Sequence, residues 1–271
     1  LNQWAEVGTG GYTLTIQPSA STTRLISGTV TTGLIRLDGA DRVRIDGRSG
    51  GSGTFLTFRN ISTSGPVIQM INDAQNNIIR NSILEGASTS TSGNTAGVVN
   101  IGTTTLANGN DNNIVTYNEI RDRSDATGRP TMGIFSTGSS TALTQYNNNC
   151  VISNNSIHDW FIDGSSVQFA VNIGAGNTGW NIDSNSFYQT AARTNTITSG
   201  STRAINISFA ATLATNGGFN VRNNFIGGTA PGATGGDWTV NVGGTAIVHT
   251  FIPIAMTTGL IPNTVSGNVI R

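Results

Sequence analysis

The sequence predicts an all-β solenoid, and three observations predict it. The first is a motif that returns along the chain: an aliphatic residue, Asn three positions later, then Ile or Phe two further on. Its clearest copy is Val151-Ile152-Ser153-Asn154-Asn155-Ser156-Ile157, and others centre on Asn81, Asn118, Asn185, Asn224 and Asn268, with Asp46 in the Asn place of an earlier copy. The second is the interval between these anchors, which runs 35, 37, 37, 30, 39 and 44 residues. The third is the absence of any sustained i, i+3, i+4 apolar stripe, so helices are expected to be almost absent. A helix-free unit of that length with two or three short strands cannot bury its own apolar face, whereas stacked units can.

The elements follow in order. Residues 12–17 alternate and stop at Pro18, residues 24–26 and 34–37 are similar, and Gly28, Gly33 and Gly39 punctuate them. Trp4 is assigned to an incomplete first coil. Residues 41–47 supply the Asp-bearing copy, and 54–60 and 66–71 are further strands. Each later interval holds a second strand-like run, at 98–101, 132–135, 167–173, 204–209 and 240–242. A propeller blade has a comparable length but needs four antiparallel strands per repeat.

These copies resemble the right-handed parallel β-helix proteins of the pectate-lyase-like superfamily, over roughly residues 12–271. That resemblance implies a right-handed parallel β-helix of about seven coils whose turn asparagines stack into an internal ladder. The chemistry of Asn fits: two donors and one acceptor oxygen let a column of amides satisfy itself and the turn backbone at a strand spacing of ~4.8 Å. The stretch 34–47 is also similar to β-helix regions of large secreted bacterial surface proteins. Residues 1–271 are expected to form one β-helix domain, extracellular or at a cell surface, and the apolar, uncapped last coil leads to the expectation that it is part of a longer exported protein.

Composition limits the partners. Fourteen basic residues, all Arg, balance fourteen acidic ones, and charged residues make up 10% of the chain. Neither nucleic acid nor an anionic membrane surface is expected without a basic field. No apolar run approaches the ~20 residues of a membrane span. The single Cys150 excludes an intrachain disulfide and is expected as a buried apolar residue.

Counting from each anchor Asn, position +2 faces inward and position +3 outward by strand alternation. Position +3 gives Arg121, His158 and Tyr188, and position +4 gives Glu85, Asp122 and Asp159 as an acidic column on neighbouring coils. Like charges across a sheet are unfavourable, so the column calls for a reason. Solvated loop starts are one, calcium is a second, and paired acid and base carboxylates for glycoside cleavage are a third. No cofactor is required; calcium is the one ion the column would suit. Loops at 85–95, 121–131, 158–166, 189–202 and 227–237 all enter at one point of the coil, which gathers them on one face. Trp160 beside Asp and Arg fits either a sugar platform or a loop anchor packed on the coil.

The Asn-Thr-Asp, Asp-Asp and Gly-His-Gly set of polygalacturonase-like enzymes is absent, and a chain without Lys offers no Lys base. The expected function is a structural or adhesin-like module that binds polysaccharide on its loop face through Glu85, Arg121, Asp122, His158, Asp159, Trp160 and Tyr188. The alternative is a polysaccharide hydrolase or lyase using Glu85, Asp122 and Asp159. Residues 248–261 form an apolar loop, which raises end-to-end contact through the C-terminal coil.

Overall fold

A computed structural model describes residues 1–3, 11–139, 142–209 and 216–271; Trp4 lies outside them. Three parallel sheets of eight, eight and seven strands wrap one core. The first sheet holds Leu14–Ile16, Val43–Asp46, Ile78–Arg80, Ile114–Thr116, Val151–Ser153, Asn181–Asp183, Asn220–Arg222 and Thr264–Ser266. The second holds Arg24–Gly28, Leu56–Asn60, Ser82–Glu85, Glu119–Arg121, Ser156–His158, Ser186–Tyr188, Phe225–Ile226 and Val269–Ile270. The third holds Ile35–Asp38, Ile68–Ile71, Val99–Ile101, Met132–Ser136, Val167–Ile173, Ser199–Ser208 and Val248–Thr257. Each sheet takes one strand per turn of the chain, so the described residues make seven full coils and the first two strands of an eighth. This is a parallel β-helix. Among the described residues the only helical segments are the 3-10 turns Gly93–Thr95, Leu143–Gln145 and Pro231–Ala233.

Strand alternation sends one apolar row per sheet inward. Ile45, Ile79, Val115, Ile152, Ile182 and Val221 are fully buried in register on the first sheet. Leu84, Ile120, Ile157, Phe187 and Ile226 are their counterparts on the second. Each such side chain contributes roughly 1.5–3 kcal/mol on burial, and no unit gains that burial without its neighbours.

The turn between these two sheets is the repeated motif. The residue before the ladder position takes a left-handed backbone, with φ near 55° at Asn154 and Asn223 and 56° at Tyr117. The ladder runs through Asn118, Asn155, Asn185, Asn224 and Asn268. Asn118 donates its backbone N–H (3.0 Å) and Nδ2 (3.2 Å) to Oδ1 of Asn155. Asn155 does the same to Asn185 at 3.0 Å for both bonds. The remaining Nδ2 hydrogen of Asn155 goes back to the Val115 carbonyl at 2.8 Å. Every donor and acceptor of the buried amide is therefore used, which is what a polar group in such a core requires.

The anchors assigned to Asn81 and Asp46 are corrected, Asn81 by one position and Asp46 by two. Ile79 pairs with Val115 and Arg80 with Thr116, so Ser82 stands opposite Asn118 and gives its N–H to Oδ1 of Asn118 at 3.1 Å. Asn81 holds the left-handed position instead, with φ 52°. Asp46 pairs in register with Arg80 and binds it and Arg48. A second correction concerns the seventh coil. Residues 248–261 are not a loop: Val248–Thr257 is the ten-residue third-sheet strand, in register with Ser199–Ser208. Val240–Val242 pairs with Arg193–Asn195 in a separate two-stranded sheet.

Two further amide columns brace the corner between the third and first sheets. Asn77 donates to Oδ1 of Asn113 at 3.0 Å, and Asn110 to Oδ1 of Asn147 at 2.9 Å from its backbone. On the next coil Cys150 takes the place of Asn77 and Asn113, fully buried, with its thiol directed at the Asn110 carbonyl at 3.3 Å. Burial pushes that thiol well above the usual range.

Candidate functional site

The long connections from the second to the third sheet all lie on one face, because each begins where a second-sheet strand ends. The register places Glu85 opposite Arg121, and His158 opposite Tyr188. Glu85 therefore belongs to the row of Arg121, His158 and Tyr188, one position away from the row assigned to it. The three-carboxylate column does not form. The shift at Asn81 carries through to Glu85.

What forms in its place is an alternating row of charges. Glu85, only 1% exposed, binds Arg59 and lies 2.7 Å from Nη2 of Arg121. Arg121 also reaches Glu119 at 2.8 Å, and Arg59 reaches Asp125 at 3.1 Å. The two ring nitrogens of His158 face Oε1 of Glu119 at 3.3 Å and Oδ2 of Asp159 at 2.9 Å. The ring stacks on Tyr188 with centroids 4.6 Å apart, and the Tyr188 hydroxyl lies 2.8 Å from Oγ of Ser156. Asp159 is buried and held by Arg193, by the Thr190 backbone N–H (3.1 Å) and by the Thr190 hydroxyl (2.7 Å).

Environment separates the acidic groups. The His158 hydrogen bond, with Arg121 beside it, holds the Glu119 carboxyl below the usual range against the opposing effect of burial. Burial pushes the Asp122 carboxyl up, and Arg129, 3.6 Å away, offsets only part of this. Burial, and after it the charge of Arg129, brings Arg193 down to about 10. A carboxylate whose folded pKa is depressed adds stability above its unfolded value and loses it as pH falls through the folded one. Glu119→Gln is therefore expected to flatten the acid side of the stability profile. Urea midpoints measured between about pH 5 and pH 3 should fall less steeply than in the wild type.

Trp160 is fully buried. It packs edge-on against Trp238 with centroids 5.3 Å apart, so it anchors its loop to the core and presents no ring face to solvent. Beside the charge row two adjoining cavities, of about 290 and 240 Å³, share Arg129, Phe161 and Asp163. The first also takes Thr63 and Thr89 from earlier coils, and the second Arg193 and Thr194 from a later one. Together they make a groove parallel to the solenoid axis. Thr63, Thr89 and Thr194 carry no repeat signal, so counting from the anchors does not find them. Among the described residues no group of three or more His, Cys, Asp or Glu side chains is arranged to hold a metal ion.

No protein-family model, curated protein or solved structure matches this chain. Its class is set by its own geometry: a parallel β-helix with asparagine ladders and one loop-bearing, charge-paired face.

Proposed function

We propose that this chain is an extracellular or cell-surface β-helix module, pectate-lyase-like in its coil plan, that binds a polysaccharide along the loop-bearing groove without cleaving it. The observation that supports this most is the engagement of the acidic groups. Glu85 lies between two Arg side chains, Glu119 between Arg121 and His158, and Asp159 among Arg193, His158 and Thr190. A general acid or base has to gain or lose a proton during the reaction, and groups fixed in this way are poor ones. They are good at holding a groove rigid, which lowers the ordering cost of binding a long flexible chain.

One residue favours the enzyme alternative. Among the described residues Asp122 has Arg129 alone for an ion-pair partner, and burial raises its pKa, as a general acid needs. A glycan array combined with a reducing-end and unsaturated-uronate assay separates the two readings. Binding without product formation is expected. Turnover that is lost in Asp122→Ala would replace the binding reading with the hydrolase or lyase one, and no binding to any glycan would remove both.

A further inference from the structure

The groove continues into the seventh coil, and its character changes there. Phe161, which lines both groove cavities, lies 5.7 Å from the ring of His249. His249 in turn lines a third cavity of about 280 Å³ with Trp238, Val240, Val242, Phe251 and Arg271. Trp238 and Phe251 meet edge-on with centroids 4.7 Å apart. The Trp238 indole nitrogen is buried and lacks a hydrogen-bond partner, and Phe251 is 37% exposed. An indole N–H only donates, so Trp238 keeps an unused donor beneath a pocket whose Phe251 ring is accessible.

Charge along the groove points the same way. Its two cations each have a carboxylate partner, Arg129 with Asp122 and Arg193 with Asp159, and Asp163 adds a further negative group. In the end pocket, Arg271 lies 3.9 Å from Asp237 and donates to the Ala233 carbonyl at 3.2 Å. Among the described residues each Arg lining these pockets lies within 4 Å of a carboxylate, and Asp163 is a further negative group, so a polyanionic chain meets no net positive field here.

We infer that the groove takes an uncharged glycan and that the pocket of Trp238, His249 and Phe251 is the subsite for a sugar ring at one end of the bound segment. The inference rests on the glycan-binding proposal above and adds the class of glycan and the direction in which it lies. A pyranose with equatorial hydroxyls presents an apolar C–H face that the accessible Phe251 ring can cover. Coils are spaced ~4.8 Å apart, close to the advance per residue of an extended β-1,4-linked glycan, so successive coils meet successive sugars.

The test is titration of the full chain with cellobiose, cellohexaose and an oligouronate of the same length as cellohexaose, by calorimetry and by tryptophan fluorescence. Cellohexaose is expected to bind more tightly than cellobiose, at least tenfold more tightly than the oligouronate, and to change a fluorescence signal that Trp238→Phe abolishes. Phe251→Ala should weaken cellohexaose about tenfold, the value of one aromatic contact. Phe251→Leu, which keeps most of the volume, should weaken it similarly while leaving the melting profile unchanged. If cellohexaose binds but is indifferent to both Phe251 variants, or if the oligouronate binds as tightly, this inference fails and glycan binding stands. If neither cellohexaose nor the oligouronate binds, this inference fails, and the glycan array decides whether the binding proposal stands.

Discussion

Asn155→Ala is expected to lower the unfolding free energy by about 4 kcal/mol, measured by urea titration. The side chain is 2% exposed and sits mid-ladder. Its removal takes the acceptor from the backbone N–H and Nδ2 of Asn118. It also takes the donor from Oδ1 of Asn185 and from the Val115 carbonyl. Four buried groups lose a bond, and each unsatisfied one costs about 1–3 kcal/mol, of which local relaxation recovers part. Asn155→Asp makes the sharper comparison. It keeps the acceptor, removes both donors and places a charge in the column, so its penalty should shrink on acidification as the carboxyl takes up a proton. A penalty for Asn155→Asp that does not change with pH would show that the column is not the source of the effect.

Arg193→Ala is expected to cost about 3 kcal/mol, because it leaves Asp159 buried with an unmatched charge. Both side chains are nearly inaccessible, at 5% and 6% exposure. The bonds from Thr190 and His158 remain, which keeps the loss below that of a fully orphaned ion. Replacing both partners together, Arg193→Met with Asp159→Asn, should recover more than half of the loss, since neither product needs a counter-charge. Parallel urea titrations of the single and double variants form the cycle that checks it. A double variant as unstable as Arg193→Ala would assign the cost to lost packing.

The sequence reveals the coil plan because a buried Asn once per turn has no local reason to recur. The error at Asn81 has a physical origin in the same motif. Two adjacent turn positions favour Asn for different reasons, one for its tolerance of a left-handed backbone and the next for its ladder amide. Where both are Asn, as at Asn154-Asn155 and Asn223-Asn224, either choice looks plausible. At Asn81-Ser82 only the first is Asn, and the register slips by one. That slip places Glu85 in the wrong row. The columns through Asn77 and Asn110 went unread for a related reason: they lie among several asparagines, at 108–113 and 147–149, where no single one stands out. Trp160 failed as a sugar platform because sequence marks a large aromatic in a loop without saying whether the loop folds back. The pairing of His158 with Tyr188, by contrast, followed from the count, since anchors Asn155 and Asn185 are correctly aligned.

The main amide column also has a sense. Each member donates to a partner 37, 30, 39 or 44 residues further along the chain, never to an earlier member. During synthesis a newly emerged coil therefore carries buried donors with no acceptor until the following coil arrives to cap it. Chain growth and hydrogen-bond closure proceed in one direction, and each coil acts as template for the next. A nascent chain stalled between two anchors leaves its last amide open, which makes the ribosome-bound intermediate the stage at which misplaced pairing with another asparagine-rich strand is least opposed.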